Sequence, residues 1–275
     1  MFGYIQNDKI VIKHNFGFFS NCNVTLHYIV QYINSHHNYP RILDTKNVFN
    51  WYKNEENKNN DITTVYFQHY NTVNTTIPLK PNISYNHNLQ YVNYKYLPFK
   101  KLQPILQKYF SPSKNIQIIF NNIKKKYNLN FTNICVLFYR GNDKNSEIHK
   151  CSYNCYDEHI KSIIKKNKNI KLLVQSDETG FINYMTKKYP NRSFYFKDEI
   201  RHIDKCDSTV DKVMKEKNFE FSQYYLAITL IMSKCKYIIC GTGNCSMWIA
   251  LYKGNADNIF QNIQNTWFTP PIKSI

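Results

Sequence analysis

Several common classes are excluded by what the chain lacks. No secretory h-region opens it and no uninterrupted apolar run is long enough to span a bilayer, so a soluble, cytoplasmic protein without a membrane partner is expected. There is no disulfide framework: Cys22, Cys135, Cys151, Cys155, Cys206, Cys235, Cys240 and Cys245 are scattered, several of them inside apolar segments, which points to reduced thiols. Knuckle spacing is absent as well. Cys151 and Cys155, with His149 and His159 nearby, do not match a usual zinc pattern, and no metal is expected. The chain shows no basic stripe with interleaved aromatics, which makes nucleic acid an unlikely partner. It also has no Walker A loop, no G-x-G-x-x-G and no D-x-D in a loop.

Acidic residues are scarce too. Against 36 Lys+Arg stand 19 Asp+Glu, a formal charge of +17, which favours anionic partners such as nucleotide phosphates or acidic glycans without choosing among them. The lysines are dispersed, with the densest runs at Lys124–Lys126 and from Lys161 to Lys171 on expected helix faces, as on a solvated surface. At 275 residues the chain can bury a substantial core and is long enough for two lobes.

What is present is a repeated strand–loop–helix pattern. Ile10-Val11-Ile12 reads as a strand, followed by a loop from Asn15 to Asn23 and a helix with Leu26, Ile29, Val30 and Ile33 on one face. A second strand is expected after Pro40-Arg41-Ile42-Leu43, then a polar loop from Asn54 to Asp61, and extended or irregular structure from Thr63 to Leu97. Two helices follow, Phe99 to Phe110 and Ser113 to Tyr127, with Ser113 a plausible N-cap. The run Ile134 to Tyr139 is apolar throughout and reads as a buried central strand. Strands at residues 170–174, 193–196 and 237–240 alternate with helices near 179–189, 221–234 and 247–252, which implies a parallel sheet with right-handed crossovers.

Ligands of open α/β sheets bind just past the carboxyl ends of the strands. Three polar loops fall there. Arg140, Asp143 and Lys144 follow the first: a planar fork for phosphate oxygens, a carboxylate, and a point charge, or equally a surface ion-pair cluster. Gln175, Ser176, Asp177 and Glu178 follow the second, where Asp177 could cap a helix or touch a ligand. Gly241, Thr242, Gly243, Asn244, Cys245 and Ser246 follow the third and make a possible phosphate cradle. Gly17, Ser20 and Asn21 in the first loop suit close backbone approach to a ligand, or an ordinary capped turn.

In this order the features resemble the GT-B glycosyltransferases of the fucosyltransferase superfamily, which contains core α1,6-, nodulation and protein O-fucosyltransferases. Phe138-Tyr139-Arg140-Gly141-Asn142-Asp143-Lys144 looks like the family's H-x-R-x-x-D-K. Ser176-Asp177-Glu178 with Lys188-Tyr189-Pro190-Asn191 looks like its T-D-D strand end and later turn, Cys240 to Ser246 like its small-residue loop, and Gly17 to Asn21 like its G-x-F-G-N loop. The four places span residues 10 to about 260.

The resemblance implies an α/β fold of GT-B type, two Rossmann-like lobes with parallel sheets facing a cleft. An acceptor-side lobe would cover residues 1–110 and a nucleotide-sugar lobe 111–260, with 261–275 as a tail packing back on the first. It implies an inverting, metal-independent glycosyltransferase with no cofactor beyond its donor, GDP-fucose leading the candidates, and a glycan or glycoprotein acceptor. Arg140, Lys144, Ser176, Thr242, Gly243, Asn244 and Ser246 would hold the donor, with Gly17, Ser20 and Asn21 across the cleft. Catalysis would fall to Arg140, Asp143 and Asp177, and His14 or His27 are further candidates for a base. Three positions depart from the family: its guanine-reading His is Phe138 here, an acidic residue on the helix before the last strand is Ile228, and the second basic residue of its R-R pair is Gly141. A silent glycan- or nucleotide-binding protein and a basic nucleic-acid-binding protein are the alternatives.

Overall fold

The computed structural model describes residues 2–68, 79–143 and 151–270; Lys144 and His149 lie outside the described residues. The chain opens with a hairpin, β1 (Gly3–Gln6) and β2 (Lys9–Ile12), leading into the long helix α1 (Phe18–His36) and then β3 (Ile42–Asp44). β2 pairs antiparallel with β1 and parallel with β3, forming a small mixed sheet. The β1 strand is an addition to the sequence reading. A short helix, α2 (Thr63–Tyr66), and several 3₁₀ turns fill the irregular region. Then come α3 (Phe99–Tyr109) and α4 (Lys114–Lys126), the latter capped as expected by Ser113, whose Oγ accepts from Ile116 N at 3.3 Å.

The apolar run is β4 (Ile134–Tyr139), with all six residues buried. After it come α5 (Asp157–Lys166), β5 (Lys171–Ser176), α6 (Thr179–Lys188), β6 (Ser193–Phe194), the short α7 (Val210–Val213), α8 (Asn218–Lys234), β7 (Tyr237–Gly241), α9 (Asn244–Lys253), β8 (Ile259–Ile263) and β9 (Thr266–Phe268). The strands form one sheet in the order β6-β5-β4-β7-β8-β9, parallel except for the β8–β9 pair. The fold is therefore α/β with a mostly parallel sheet, and β4 lies inside it between β5 and β7.

Burial on both faces explains the unbroken apolar run of β4. Val136 and Phe138 join the larger core with α1, α3, α4, α8 and α9, while Cys135, Leu137 and Tyr139 face a second cluster with α5 and α6. The larger cluster runs without a break from Ile10 to Ile259, so the small sheet and the large sheet rest on shared apolar packing. Hydrophobic burial drives this assembly, because no single element could cover its apolar face alone.

Three boundaries differ from the sequence reading. Residues 18–23, expected in a loop, are the first turns of α1, because Phe18, Phe19 and Cys22 are buried on it. β5 continues through Gln175 and Ser176, which pair with Phe138 and Tyr139, so only Asp177 and Glu178 remain of that loop. Residues 259–268, where the sequence reading places no strand, form edge strands of the large sheet. From β8, Gln261 still reaches the N-terminal half, accepting from Tyr94 N at 2.9 Å and donating to Val92 O at 3.1 Å. Among the described residues no helix is long and apolar enough to cross a membrane.

Candidate functional site

The C-terminal ends of β4, β5 and β7 open on a cavity of about 470 Å³. That is enough for a small organic ligand. Gly17 and Ser20 line it from the start of α1, Arg140 and Asp143 from the loop after β4, Ser176 and Asp177 from the end of β5, and Gly243, Asn244 and Ser246 from the start of α9. Nine of the candidate residues thus meet in one place, although they come from four separate stretches of chain.

Arg140 is the centre of this arrangement. It follows β4 directly and keeps 24% of its side-chain exposure. Its Nη1 donates to Asp177 Oδ2 and its Nη2 to Asp143 Oδ1 at 3.1 Å. Burial works against its charge, but Asp177, Tyr225, Asp143 and Asp211 outweigh that and raise its pKa, so the guanidinium is a permanent cation. Asp177 is a holder rather than a helix cap: its Oδ1 also accepts from Gly141 N at 2.7 Å, and its backbone oxygen accepts from Asn142 Nδ2 at 2.8 Å. The loop after β4 is thereby tied to the end of β5.

Two helix N-termini reach the same cavity. Neither α1 nor α9 is capped by the side chain of its own N-cap residue and neither carries an acidic residue in its first turn, although Phe18 N at the start of α1 donates to Tyr52 Oη at 2.7 Å. The first N–H groups of a helix carry partial positive charge and suit an anion. At α9 the chain turns through Gly243 at φ 148°, a conformation open essentially to glycine alone. Its N–H takes Tyr94 Oη as partner at 3.1 Å. Asn244 is fixed by Asn23 Nδ2, which donates to its Oδ1 at 2.7 Å, so α1 and α9 are joined beside the cavity.

Other candidates serve the frame. Asn21 lies outside the cavity lining and folds back on Phe16, accepting from its N at 3.0 Å and donating to its O at 2.9 Å. Thr242 donates from Oγ1 to Gln90 O and from its N–H to Asn262 O at 3.0 Å, holding α9 against residues near 90. Lys144 falls outside the described residues. His14 meets the site only through Ser20, whose Oγ lies 2.9 Å from His14 Nε2. Burial and neighbouring His87 push His14 down to about 4, which leaves it neutral at physiological pH. Cys245 lines the cavity, but burial pushes its thiol up to about 11, so it is no ready nucleophile. Among the described residues no group of three or more His, Cys, Asp or Glu could hold a metal ion.

Sequence reasoning missed the opposite wall. Trp51, Arg201, Asp211 and Lys212 line the cavity, from regions without clear periodicity. Arg201 is buried there, donating to Met214 O at 2.6 Å, Asn218 Oδ1 at 2.7 Å and Asp211 Oδ1 at 2.9 Å. It joins residues 201–218 into one wall. No motif marks this set, and only folding brings it to the sheet edge.

No protein-family model matches the chain, and no curated protein does. Solved structures to which it is similar include the NodZ α1,6-fucosyltransferase soaked with GDP-fucose, at 12% identity and TM-score 0.39 over 63% of this chain and 54% of that one. Fucosyltransferase NodZ from Bradyrhizobium gives 11% and 0.38 over 62% and 53%, and POFUT1 in its apo form 11% and 0.37 over 59% and 49%. The chain spans about half the length of these structures. With likeness at this level, any functional reading has to rest on the geometry of the cavity.

Proposed function

We propose that the chain is a glycosyltransferase that moves a sugar from a nucleoside diphosphate donor to a hydroxyl of a glycan or protein, with fucose the sugar its motifs resemble. One observation carries the reading: the Arg140 guanidinium and the N-termini of α1 and α9, which have no acidic residue in their first turns, line a single cavity. Such a set of fixed positive ends fits a diphosphate and would stabilise the charge that grows on it as the sugar leaves. Fixed cationic groups can take the part of a divalent cation, which supports transfer without metal.

In this reading residues 111–260 hold the donor and residues 1–110 form the acceptor side. A single displacement by the acceptor oxygen inverts the sugar carbon, and the hydroxyl proton passes to a carboxylate. Asp143, 22% exposed, is the better acceptor; Asp177, 7% exposed, is occupied by Gly141 and Arg140. A second reading, a nucleotide-binding protein without turnover, is favoured by a separate observation. All four carboxylates lining the cavity, Asp143, Asp177, Glu199 and Asp211, are engaged by protein donors.

The test is calorimetric binding of GDP, UDP and dTDP, together with release of sugar from the corresponding donors in the presence of EDTA. Arg140→Lys, which keeps a charge for Asp177, is expected to lower kcat/KM by roughly 100-fold or more through loss of the planar fork. Binding without turnover establishes the second reading, and the absence of both binding and turnover refutes the site.

A further inference from the structure

One wall of the cavity holds a polar group that the protein itself leaves unanswered. Gln175 pairs with Phe138 across β5 and β4, so the two side chains leave the same face of the sheet and line the cavity together. Ile228 and Met232 of α8 line it as well, which makes this end largely apolar. In that setting Gln175 is 5% exposed, and its Nε2 is buried with no hydrogen-bond partner. Buried amides are nearly always paired, so an unpaired one on a cavity wall calls for a ligand.

Three of the four carboxylates lining the cavity are already engaged by protein donors. Glu199 accepts from Lys126 Nζ at 2.7 Å and Tyr127 Oη at 2.8 Å, Asp211 accepts from Arg201 and Tyr52, and Asp177 from Arg140 and Gly141. A ligand at this end meets the Gln175 amide, with one acceptor oxygen and one NH₂, beside apolar Phe138, Ile228 and Met232.

Resting on the donor site argued above, we propose that Gln175 reads the base of the nucleoside diphosphate, and that this base is uracil or thymine. Their imide edge carries one N–H flanked by carbonyl oxygens. A single amide leaves no N–H of this edge unpaired: Oε1 accepts from the base N3–H while Nε2 donates to one base carbonyl, and what remains is a carbonyl oxygen, the less costly kind of group to leave unmet. Adenine and cytosine bring an amino group with two N–H donors, and guanine brings three donors along its edge. A lone Oε1 leaves at least one of them buried and unpaired, which is costly. Phe138 beside Gln175 supplies an aromatic surface for the flat ring.

The experiment is a titration of the full chain with UDP, dTDP, GDP, CDP, ADP, N3-methyl-UDP and inorganic pyrophosphate, repeated on Gln175→Leu. UDP and dTDP are expected to bind at least about tenfold more tightly than the other three nucleotides, with N3-methyl-UDP weakened by a similar factor. Gln175→Leu should reduce UDP affinity by roughly tenfold or more, leave pyrophosphate binding unchanged and keep or raise the melting temperature, because it removes an unpaired amide. The methylated ligand tests the contact on unaltered protein, so the answer does not depend on the variant folding. GDP binding as tightly as UDP, or N3-methyl-UDP matching UDP, overturns the base assignment alone. If neither nucleotides nor pyrophosphate bind, the donor site itself is refuted and the assignment goes with it.

Discussion

Replacing Gly141 with alanine is a sharp test of how the loop after β4 is held. A Cβ at that position would overlap Glu178 Oε2 and lie 2.9 Å from both Cβ and Cδ of the same side chain. Glu178 has little room to withdraw: it is buried, and Tyr153 Oη donates to its other oxygen. Overpacking of this kind costs about 1–3 kcal/mol. Displacing the carboxylate also loses a charged hydrogen bond, which adds about 1.5–3 kcal/mol. With about 2–4 °C per kcal/mol for a chain near this size, the melting temperature of Gly141→Ala should fall by roughly 10 °C. Gly141 N donates to Asp177 Oδ1, and Asp177 holds Arg140, so diphosphate affinity should fall as well. Gly241→Ala is the control, since a Cβ there meets nothing within 4 Å. The decisive measurement is a double-mutant cycle with Glu178→Ala, in which the second substitution should recover at least about 1 kcal/mol of the loss. A Gly141→Ala variant that melts with the wild type, or a cycle showing no coupling, refutes the reasoning.

Acid should weaken the fold through the histidines beside α1. His14 titrates at about 4 in the folded chain, below its ordinary 6.5, so between these values the unfolded state binds a proton that the native state does not. Stability from this group is complete above about pH 6.5 and is lost as pH falls toward 4, on the order of 3 kcal/mol in all. Melting curves of His14→Gln across that range should show a flatter pH slope than the wild type; His27, also held low by burial and His87, keeps part of it. An unchanged slope would place the acid sensitivity elsewhere. Separately, Gly243→Ala forces a side chain into φ 148° and should cost about 1–3 kcal/mol. It should also abolish diphosphate binding measured by calorimetry, whereas intact binding would remove the α9 N-terminus from the site.

The fold was legible where burial writes itself into the sequence. The unbroken apolar run of β4 and the 3.6-residue spacing in α1, α4 and α8 predicted elements that are present. Errors fell at junctions. Gln175 and Ser176 looked like loop because they are polar, yet they continue β5 alongside Phe138 and Tyr139. Asn21 and Asn23 looked like loop for the same reason, yet helix α1 absorbs them through bonds to Phe16, His87 and Asn244. Polarity does not mark an element's end when the side chains have a place inside: Asn21, Asn23 and Ser176 have hydrogen-bond partners there, and Gln175 lies on the cavity wall. Arg201 and Asp211 were invisible for the opposite reason: their stretch lacks periodicity, and the pair becomes a wall only when Asn218 of α8 and Tyr52 close on it.

Net charge also misleads about the site. The chain carries a formal +17, but the charged residues lining the cavity are three cations, Arg140, Arg201 and Lys212, against four carboxylates, Asp143, Asp177, Glu199 and Asp211. The excess positive charge therefore lies away from the cavity. Attraction for a diphosphate has to come from directed groups, namely the Arg140 fork and the N–H groups at the starts of α1 and α9, whose reach is about one helical turn. Binding of this kind is governed by geometry and depends weakly on salt, because charges inside a partly closed site are screened far less than exposed ones. Capture of a polyanion by surface lysines would instead fall steeply as counterions compete, by roughly 10³- to 10⁵-fold between 50 and 200 mM salt for 6–10 phosphate contacts. Salt dependence of nucleotide affinity thus separates the two roles of charge. A shallow slope for UDP together with a steep one for random-sequence DNA would assign the cavity to the donor and confine the surface lysines to non-specific capture of polyanions.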